Sequence, residues 1–383
     1  MSNSQDRVLA RVVRIDDVKT HPNADSLDLA LVGGWQCVIK RGEYQAGDLA
    51  IYIEVDSMVP MDNPIFEFLR GRNMVERDGK EYSRIKTMKL RKELSQGLIV
   101  PVDAAGLPNL KEDQDLTDQM GILKYVKPSE QAAIDGGAKA KGDRKGTSKL
   151  GFPNFIPKTD QARVQNIQMA YDQAHQKDEK FEVTFKLDGS SLTIWHKDGE
   201  VGVASRNVGF RLEDEKIGFF TAVKNFFKGR GWKRVIKKDS NHFTAMAEEL
   251  NLGERLREFG LNIALQGELV APNIQGNFEG VDKPEYYVYD IYNISESRYY
   301  LPEERLATLG ILNALADDGE EDVKHVPVYM WDVGVPKDMQ DVIEMASGES
   351  ALNGKYREGL VFKSMSRDFS FKVISNEYLL KEE

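Results

Sequence analysis

The chain has 383 residues, of which 41% are hydrophobic and 30% are charged, a composition typical of folded proteins and not of disordered ones. This length predicts two or three domains, each with its own core. The net charge of −10 argues against a protein that coats nucleic acid by bulk charge, although a local basic surface can still bind it.

Cysteine usage and the N-terminus indicate the compartment. A single cysteine, Cys37, permits neither an internal disulfide nor a cysteine-based zinc site, which indicates a reducing environment. Residues 1–6 are polar and lack the apolar segment of a signal peptide, and no stretch approaches the roughly 20 apolar residues of a membrane span. We therefore expect a cytoplasmic protein.

The first third of the chain predicts a small β-barrel. Residues 7–14 alternate between apolar and polar, and strand-like runs follow at 27–32, 35–40 and 49–55, separated by glycine-containing turns. Residues 21–60 resemble the OB-type modules that bind tRNA in some synthetase-associated proteins, and such barrels bind oligonucleotides on one strand face. We expect residues 1–126 to form an OB-like nucleic-acid-binding module.

Basic residues are concentrated in one glycine-containing segment and in two further sets. Residues 127–150 mix glycines with basic residues and lack an apolar period, which predicts a flexible linker before a domain at 151–383. Two further sets are basic, one in the front module and one in a region, 213–260, that is predicted to be helical: Arg84, Lys86, Lys89, Arg91 and Lys92, and Lys224, Lys228, Arg230, Lys233, Arg234, Lys237 and Lys238. Either set is expected to contact phosphate or to form a solvated face.

The stretch around Lys186 is the candidate for chemistry. Lys186 follows a predicted strand, 181–185, and precedes the turn at Asp188 and Gly189. Lysine is a nucleophile only as a neutral amine, so its reference pKa near 10.4 must fall before it attacks at pH 7. Because a neighbouring positive charge lowers the pKa of an amine, we expect cations around Lys186.

Predicted strands bring other side chains towards this lysine. The strands at 192–195 and 201–204 are joined through Asp198-Gly199, and pairing about that turn places Arg206 opposite Ser191. A helix is expected from Thr159 or Asp160 through Gln168, and another over 302–315. A strand over 286–292 is expected to place Tyr287, Tyr289 and Ile291 on one face.

Five segments in this order resemble the motifs of the covalent nucleotidyltransferase superfamily of polynucleotide ligases and mRNA capping enzymes. They are Lys186-Leu187-Asp188-Gly189, Ser205-Arg206-Asn207, Gly267-Glu268 with Tyr289-Asp290, Glu358-Gly359 through Lys363, and Lys372. The resemblance implies an α+β fold, with antiparallel sheets flanked by helices behind the N-terminal OB-like barrel.

The resemblance also implies a role for each residue. Lys186 would attack the α-phosphorus of ATP and carry AMP, with Gly189 and Arg206 in the nucleotide site. Glu268 would hold the ribose, Tyr289 would stack on adenine, and Glu358 would help hold Mg²⁺ or Mn²⁺. Lys363 and Lys372 would bind the α-phosphate, while Asp188 and Arg206 would orient the nucleic-acid ends.

Three features qualify this assignment. Glu358 and Lys363 are an odd number of residues apart, so both reach one pocket only if Glu358 lies on the turn before the strand. Many relatives have a second lysine where this chain has Ser370, which bears on phosphate binding. A glutamate is common where it has Phe185, which bears on purine selectivity.

The order of domains selects one branch of the superfamily. Relatives that act on DNA or on mRNA caps resemble one another in placing an OB domain after the last motif, whereas here eleven residues follow Lys372 and the OB-like module comes first. That layout resembles nick-sealing RNA ligases, which implies an ATP-dependent enzyme acting on nicked or broken RNA, including ends paired to a bridging strand. The alternatives are a DNA-joining ligase, a GTP-using guanylyltransferase, or a non-catalytic RNA-binding protein.

Overall fold

The computed structural model describes residues 8–125, 150–159, 161–216, 235–352 and 355–382. They form an N-terminal β domain and a C-terminal α+β domain. The predicted linker falls almost wholly outside the described residues, as do five of the seven basic residues predicted in the helical region. No helix within the described ranges is long and apolar enough to cross a membrane.

The N-terminal domain (residues 8–125) contains twelve described strands that form an OB-type barrel with an added sheet. Its sheets have the orders β1-β5-β11, β2-β3-β4, β12-β6-β8-β7 and β9-β10. The strands are β1 Ala10–Arg14, β2 Asp17–Thr20, β3 Leu27–Val32, β4 Trp35–Lys40, β5 Leu49–Ile53, β6 Ser57–Pro60, β7 Met74–Arg77, β8 Lys80–Arg84, β9 Thr87–Leu90, β10 Glu93–Gln96, β11 Leu98–Pro101 and β12 Leu123–Lys124. The strands predicted at 27–32 and 35–40 are confirmed with their bounds.

Strand β5 lies at the centre of this domain because both of its faces are buried. Ile51 and Ile53 point into one core, and Ala50 and Tyr52 point into the other, which also contains Trp35. Alternate side chains of a strand point to opposite faces, so a continuous apolar run here separates two cores. The barrel is therefore extended on one side by the sheet that contains β6, β7 and β8.

The C-terminal domain has two large sheets. One has the order β13-β18-β17-β16-β21-β22-β23, with β24 pairing to β22, and the other has the order β14-β27-β26-β15-β25. The strands are β13 Leu150–Gly151, β14 Ala162–Arg163, β15 Phe181–Lys186, β16 Ser190–Lys197, β17 Glu200–Ser205, β18 Val208–Phe210, β19 Glu215–Lys216, β20 Val235–Ile236, β21 Ile263–Val270, β22 Glu285–Asn293, β23 Arg298–Tyr299, β24 Lys324–His325, β25 Val328–Val333, β26 Gly359–Ser364 and β27 Ser370–Ile374. The expected α+β fold with antiparallel sheets is confirmed.

Helices cover the outer face of each sheet. The described helices are α1 Gln168–Gln176, α2 His242–Glu249, α3 Leu252–Phe259, α4 Pro302–Ala314, α5 Met339–Met345 and α6 Asn376–Glu382. Leu256 of α3 and Leu312 of α4 pack on the larger sheet, and Tyr171 of α1 packs on the smaller one. The two inner faces are left opposite each other, so the space between the sheets holds the polar residues of both.

Three local predictions were wrong. The region 213–260, expected to be helical, contains the paired strands β19 and β20 ahead of α2 and α3. The helix expected from Thr159 or Asp160 through Gln168 instead begins at Gln168, because Ala162–Arg163 pairs in parallel with β27 and so takes the extended conformation. Tyr287 and Tyr289 do share a face, but Ile291 lies in the core on the opposite face, with Val288. A β-bulge in the pairing of β21 with β22 causes this, since one extra residue reverses the alternation beyond it.

Candidate active site

Strand alternation places Lys186 and Glu268 on facing surfaces of the two sheets. In the smaller sheet, Phe181 and Val183 point to the helix-covered core, so Lys186 at the end of β15 points inward. In the larger sheet, Leu265 and Leu269 point to the helix-covered core, so Glu268 points inward. Because the inner faces oppose each other, residues from both sheets meet at one end of the cleft.

The pairing of β15 with β26 places Glu358 next to Lys186. Lys186 pairs with Gly359, the first residue of β26, so Glu358 lies on the turn just before the strand, as expected. The Lys186 Nζ atom donates a hydrogen bond of 2.6 Å to Glu358 Oε2. A side chain at Gly359 would place its Cβ 2.1 Å from the Val373 carbonyl oxygen, so only glycine permits this close approach of β26 and β27.

Carboxylates dominate the electrostatics around Lys186. Burial, the largest single influence, lowers the pKa of Lys186, but the carboxylates of Glu358, Glu268 and Asp188 together raise it. Burial also raises the pKa of Glu268 to about 8; Lys186 opposes this change, and the charges of Glu358 and Asp188 reinforce it. The expectation that cations lower the pKa of Lys186 is therefore wrong for the protein by itself.

The loop after Lys186 packs tightly on β21. The Gly189 N–H donates to the carboxylate of Glu268, and a Cβ at Gly189 would lie 2.5 Å from the Leu269 carbonyl oxygen. The Asp188 N–H donates to Glu279 Oε1 at 2.8 Å, and Glu279 is itself 2% exposed. These bonds fix the loop between the two sheets.

Tyr289 lies on the inner face of the larger sheet, where its hydroxyl is held from two sides. The Tyr289 hydroxyl is 3.0 Å from Thr159 Oγ1 and 3.4 Å from Ser191 Oγ. Burial raises the pKa of Tyr289, and the charge of Glu268 raises it further. Tyr289 is therefore near Glu268, with a ring whose orientation is restrained.

Lys363 has a different environment from Lys186. Its Nζ atom donates a hydrogen bond of 2.5 Å to Asp290 Oδ1, and burial lowers the pKa of Lys363. A cavity of about 310 Å³ adjoins this pair; Lys158, Thr159, Tyr299 and Arg305 are among the residues that line it, and Lys186 is not one of them. Lys363 is thus more buried than Lys186 and is held in an ion pair.

The two remaining cations are positioned by register. Lys372 lies on β27 opposite Val361 and beside Arg163 of β14, on the same inner face as Lys186. The pairing of β16 with β17 ends at Leu192 and Ser205, so Arg206 follows opposite Ser191, as expected. Arg206 is exposed, at the mouth of the cleft.

Sequence reasoning missed three residues that contact or flank the motifs. Glu279 holds the Asp188 N–H, and the Tyr378 hydroxyl donates to Asp188 Oδ2 at 2.9 Å. Arg163 pairs in register with Lys372, and its guanidinium lies 5.6 Å from the ring of Trp35 in the N-terminal domain. None of the three lies in a motif-like run, and all are distant in sequence from their partners.

The oxygen donors near Lys186 suit a divalent cation without forming a complete cage. Within the described ranges there is no group of three or more His, Cys, Asp or Glu side chains arranged to hold a metal ion. Magnesium commonly binds through one or two carboxylates and completes its shell with substrate phosphates and water. Glu358 and Glu268 fit that use, because a bound cation would offset the charge with which Glu358 raises the pKa of Glu268.

Comparisons with known proteins identify both domains. Residues 179–374 match the family model described as RNA ligase, and residues 9–102 match a model described as an OB-fold domain. A search of curated protein sequences finds no match.

The fold is similar to solved structures of a Naegleria gruberi RNA ligase. One variant with AMP and Mn is 33% identical, with 98% of this chain and 99% of that chain covered and a TM-score of 0.74. A variant with ATP and Mn is also 33% identical, with the same coverage and a TM-score of 0.72. The structure with PPi is 34% identical, again with 98% and 99% coverage, and has a TM-score of 0.73.

Proposed function

The chain belongs to the RNA ligase family, and we propose that it joins RNA 3′-OH and 5′-phosphate ends by way of a Lys186–AMP intermediate formed from ATP. The observation that carries this proposal is the Lys186 amine, 2.6 Å from Glu358 and coupled to Glu268 and Asp188. A partly buried lysine at the end of a strand, among carboxylates from both sheets, has no evident structural purpose. The relative's structures contain ATP, AMP or PPi, which are the nucleotide substrate and the two released products of the complete ligation reaction.

In the first step, the neutral Lys186 amine attacks the α-phosphorus of ATP. The P–N bond forms, the bond from the α-phosphorus to the bridging oxygen breaks, and pyrophosphate leaves with the electron pair. The nitrogen releases a proton to solvent as the P–N bond forms, and Glu358 Oε2, already hydrogen-bonded to the amine, positions it for the attack. Phosphoryl transfer requires mainly positioning and stabilisation of charge on the phosphate oxygens.

In the second and third steps, AMP moves to the RNA and then leaves. An oxygen of the RNA 5′-phosphate attacks the lysyl-AMP phosphorus, the P–N bond breaks, and Lys186 recovers its proton. The 3′-OH then attacks the 5′-phosphorus, which forms the phosphodiester and releases AMP. Asp188 beside Lys186 and Arg206 at the mouth are proposed to orient these ends.

The nucleotide is proposed to lie along the inner face of the larger sheet. Glu268 would accept hydrogen bonds from the ribose hydroxyls, and the ring of Tyr289 would stack on adenine, with Gly189 allowing close approach of the loop. Lys372 is proposed to bind the α-phosphate. Lys363 is a further proposed phosphate ligand, which requires it to exchange its bond to Asp290 for one to the phosphate.

Glu358 is the proposed protein ligand of Mg²⁺ or Mn²⁺, with Glu268 nearby. When bound, the cation supplies positive charge to the α-phosphate and offsets the carboxylates that raise the pKa of Lys186. The relative's structures contain Mn with the nucleotide. Without such a charge, the carboxylates keep the Lys186 amine protonated.

The N-terminal domain is proposed to hold the RNA, and a nick in a duplex is the proposed substrate. OB barrels bind oligonucleotides on one strand face. Residues Lys86, Arg91 and Lys92 on and beside the β9–β10 hairpin are exposed, whereas Arg84 is bonded to Asp56. The exposed members of this basic set are therefore available for phosphate contacts.

Incubation with α-labelled ATP and Mg²⁺ tests the first step. We expect the protein to take up label covalently, with Lys186→Ala unlabelled, and unlabelled GTP not to compete. Label on Lys186→Ala would show that the nucleophile is elsewhere, and competition by GTP would favour a guanylyltransferase.

Sealing of matched nicks tests the substrate. Nicks that differ only in an RNA or DNA 3′-OH strand should be sealed at different rates, with RNA preferred. Equal use of both sugars would favour a DNA-joining ligase, and lysine labelling without sealing of any nick would remove the ligase proposal.

A further inference from the structure

The Asp188 side chain is held by the C-terminal helix α6. The Tyr378 hydroxyl donates to Asp188 Oδ2 at 2.9 Å, across 190 residues of sequence. The Asp188 backbone N–H is held separately by Glu279, whose other carboxylate oxygen accepts from Ser350 Oγ at 3.0 Å. The backbone and the side chain of Asp188 therefore have different anchors, and Tyr378 is an anchor of the carboxylate.

Aromatic packing fixes the position of the Tyr378 hydroxyl. The ring of Tyr378 meets Phe278 edge to face, with centroids 5.2 Å apart, and Phe278 meets Tyr356 in the same way at 5.3 Å. Edge-to-face pairs are specific in geometry as well as favourable. The hydroxyl thus approaches Asp188 from a ring that is already placed before any ligand binds.

The other side of α6 contacts the N-terminal domain. Leu379 is 2% exposed and packs with Ile374 and with Leu94 of β10. The Lys89 Nζ atom of β9 donates to the Leu380 carbonyl oxygen at 2.7 Å. A helix of seven residues is not stable by itself, so these contacts decide where α6 lies.

The same helix begins beside the other carboxylate of the site. The Ser375 N–H donates to the Glu358 carbonyl oxygen at 2.8 Å, and the Leu379 N–H donates to the Ser375 carbonyl oxygen at 3.1 Å. One short segment therefore connects the β9–β10 hairpin, the backbone of Glu358 and the side chain of Asp188. A shift of the hairpin would therefore be transmitted through α6 to the backbone of Glu358 and to the side chain of Asp188.

We propose that Tyr378 is a positioning residue that acts through Asp188, and that α6 couples the β9–β10 hairpin of the N-terminal domain to the loop that follows Lys186. This inference rests on the proposed ligase function, in which Asp188 orients the RNA ends. A carboxylate ordered in advance does not have to be ordered as the ends react. The hairpin also carries the exposed cations Arg91 and Lys92. The binding of RNA phosphates to them would therefore also affect the position of α6.

Tyr378→Phe tests the first part, because it removes the hydroxyl and keeps the ring. We expect the single-turnover sealing rate at saturating nicked RNA to fall about tenfold, as for loss of a hydrogen bond to a charged group, with the Michaelis constant for the nick and the melting temperature unchanged. The matched control is Tyr356→Phe, which removes a hydroxyl beside the same Phe278 ring and should seal at the wild-type rate. A wild-type sealing rate for Tyr378→Phe would overturn the proposal.

Leu94→Ala tests the coupling from the other domain. At saturating substrate it should lower the same rate, and combined with Tyr378→Phe it should cost less than the product of the two single effects, since coupled sites are not additive. If Leu94→Ala lowers the melting temperature, Lys89→Met replaces it; this variant removes the bond to Leu380 and one positive charge, and saturating RNA compensates for any weaker binding. Wild-type rates, or a double variant whose effects multiply fully, would contradict the coupling.

Failure of the proposed function has a different signature. A wild-type protein that takes up no label from ATP, or labels but seals no nick, would refute the ligase proposal whatever Tyr378 does. A wild-type protein that labels and seals, alongside a Tyr378→Phe variant equal to it, would refute only the positioning role.

Discussion

The Nζ atom of Lys186 lies 2.6 Å from Oε2 of Glu358, a residue 172 positions further along the chain. The pairing of Lys186 with Gly359 creates this contact, because it places the residue before the strand next to the end of β15. The carboxylates hold the amine in its protonated, non-nucleophilic form. Deprotonation of the Lys186 amine therefore depends on the charges of the bound substrate and cation.

Replacing Glu358 should make the Lys186 amine more reactive in the protein alone. Glu358 raises the pKa of Lys186 by its charge and its hydrogen bond, so Glu358→Gln should lower that pKa and move the midpoint of amine modification to lower pH. Reductive methylation across pH, followed by mass spectrometry of the Lys186 peptide, measures this. Surface lysines in the same digest are the internal control, and an unchanged or raised midpoint would contradict the assignment.

Glu268 should make the folded state less stable as pH rises. Its pKa is raised to about 8, chiefly by burial, so between its ordinary pKa and about pH 8 the folded state binds a proton that the unfolded state has lost. Stability therefore falls as pH rises through that window. The melting temperature should fall less between pH 5 and pH 8 in Glu268→Gln than in wild type, whereas the exposed Glu249→Gln should match wild type. An equal fall in both variants would be evidence against a buried acidic proton at Glu268.

Tyr289 should contribute to ATP binding through its ring and not through its hydroxyl. Stacking of a base on an aromatic side chain contributes about 1–3 kcal/mol, so Tyr289→Leu should raise the Michaelis constant for ATP in lysine adenylylation by roughly 5- to 150-fold. Tyr289→Phe keeps the ring and loses only the contacts to Thr159 and Ser191, so it should stay within a few-fold of wild type. Similar losses in both variants would argue against stacking.

Removing only one partner of the ion pair between Arg305 and Glu182 should strongly lower the free energy of unfolding. Arg305 and Glu182 are both fully buried and hydrogen-bonded between α4 and β15. Arg305→Met removes the cation that is hydrogen-bonded to the buried Glu182 carboxylate, so the free energy of unfolding should fall by about 3–5 kcal/mol, and the double replacement with Glu182→Leu should recover much of it. Urea denaturation measures this.

The exposed pair of Lys238 and Glu248 is the matched control for that measurement. Lys238→Met should leave the urea midpoint unchanged, since exposed pairs contribute little. A small loss in Arg305→Met would mean that water reaches Glu182.

Local pattern determined much of the fold before any tertiary information. Apolar alternation predicted β3 and β4 with their bounds, because a half-buried strand needs a period of two. The Asp198-Gly199 turn predicted the register of β16 and β17, and therefore the position of Arg206, because turn type sets the pairing of a hairpin. The basic residues Lys237 and Lys238 are predicted either to contact phosphate or to lie on a solvated face. In the structure they pair with Asp214 and Glu248, respectively, on the surface.

Only the tertiary structure determined which charges surround Lys186 and which residues hold the other site residues in place. The bulge between β21 and β22 moved Ile291 to the opposite face, and a bulge has no signal in an aromatic run. Asp188 is held by Glu279 and Tyr378, and Lys363 by Asp290, at separations of 73 to 190 residues. The sequence by itself determined which chemical groups are available and, outside the bulge in β22, on which strand face each lies. Only the packing of the two sheets and α6 determined which charges lie near Lys186, because electrostatic energy depends on distance and burial and not on order along the chain.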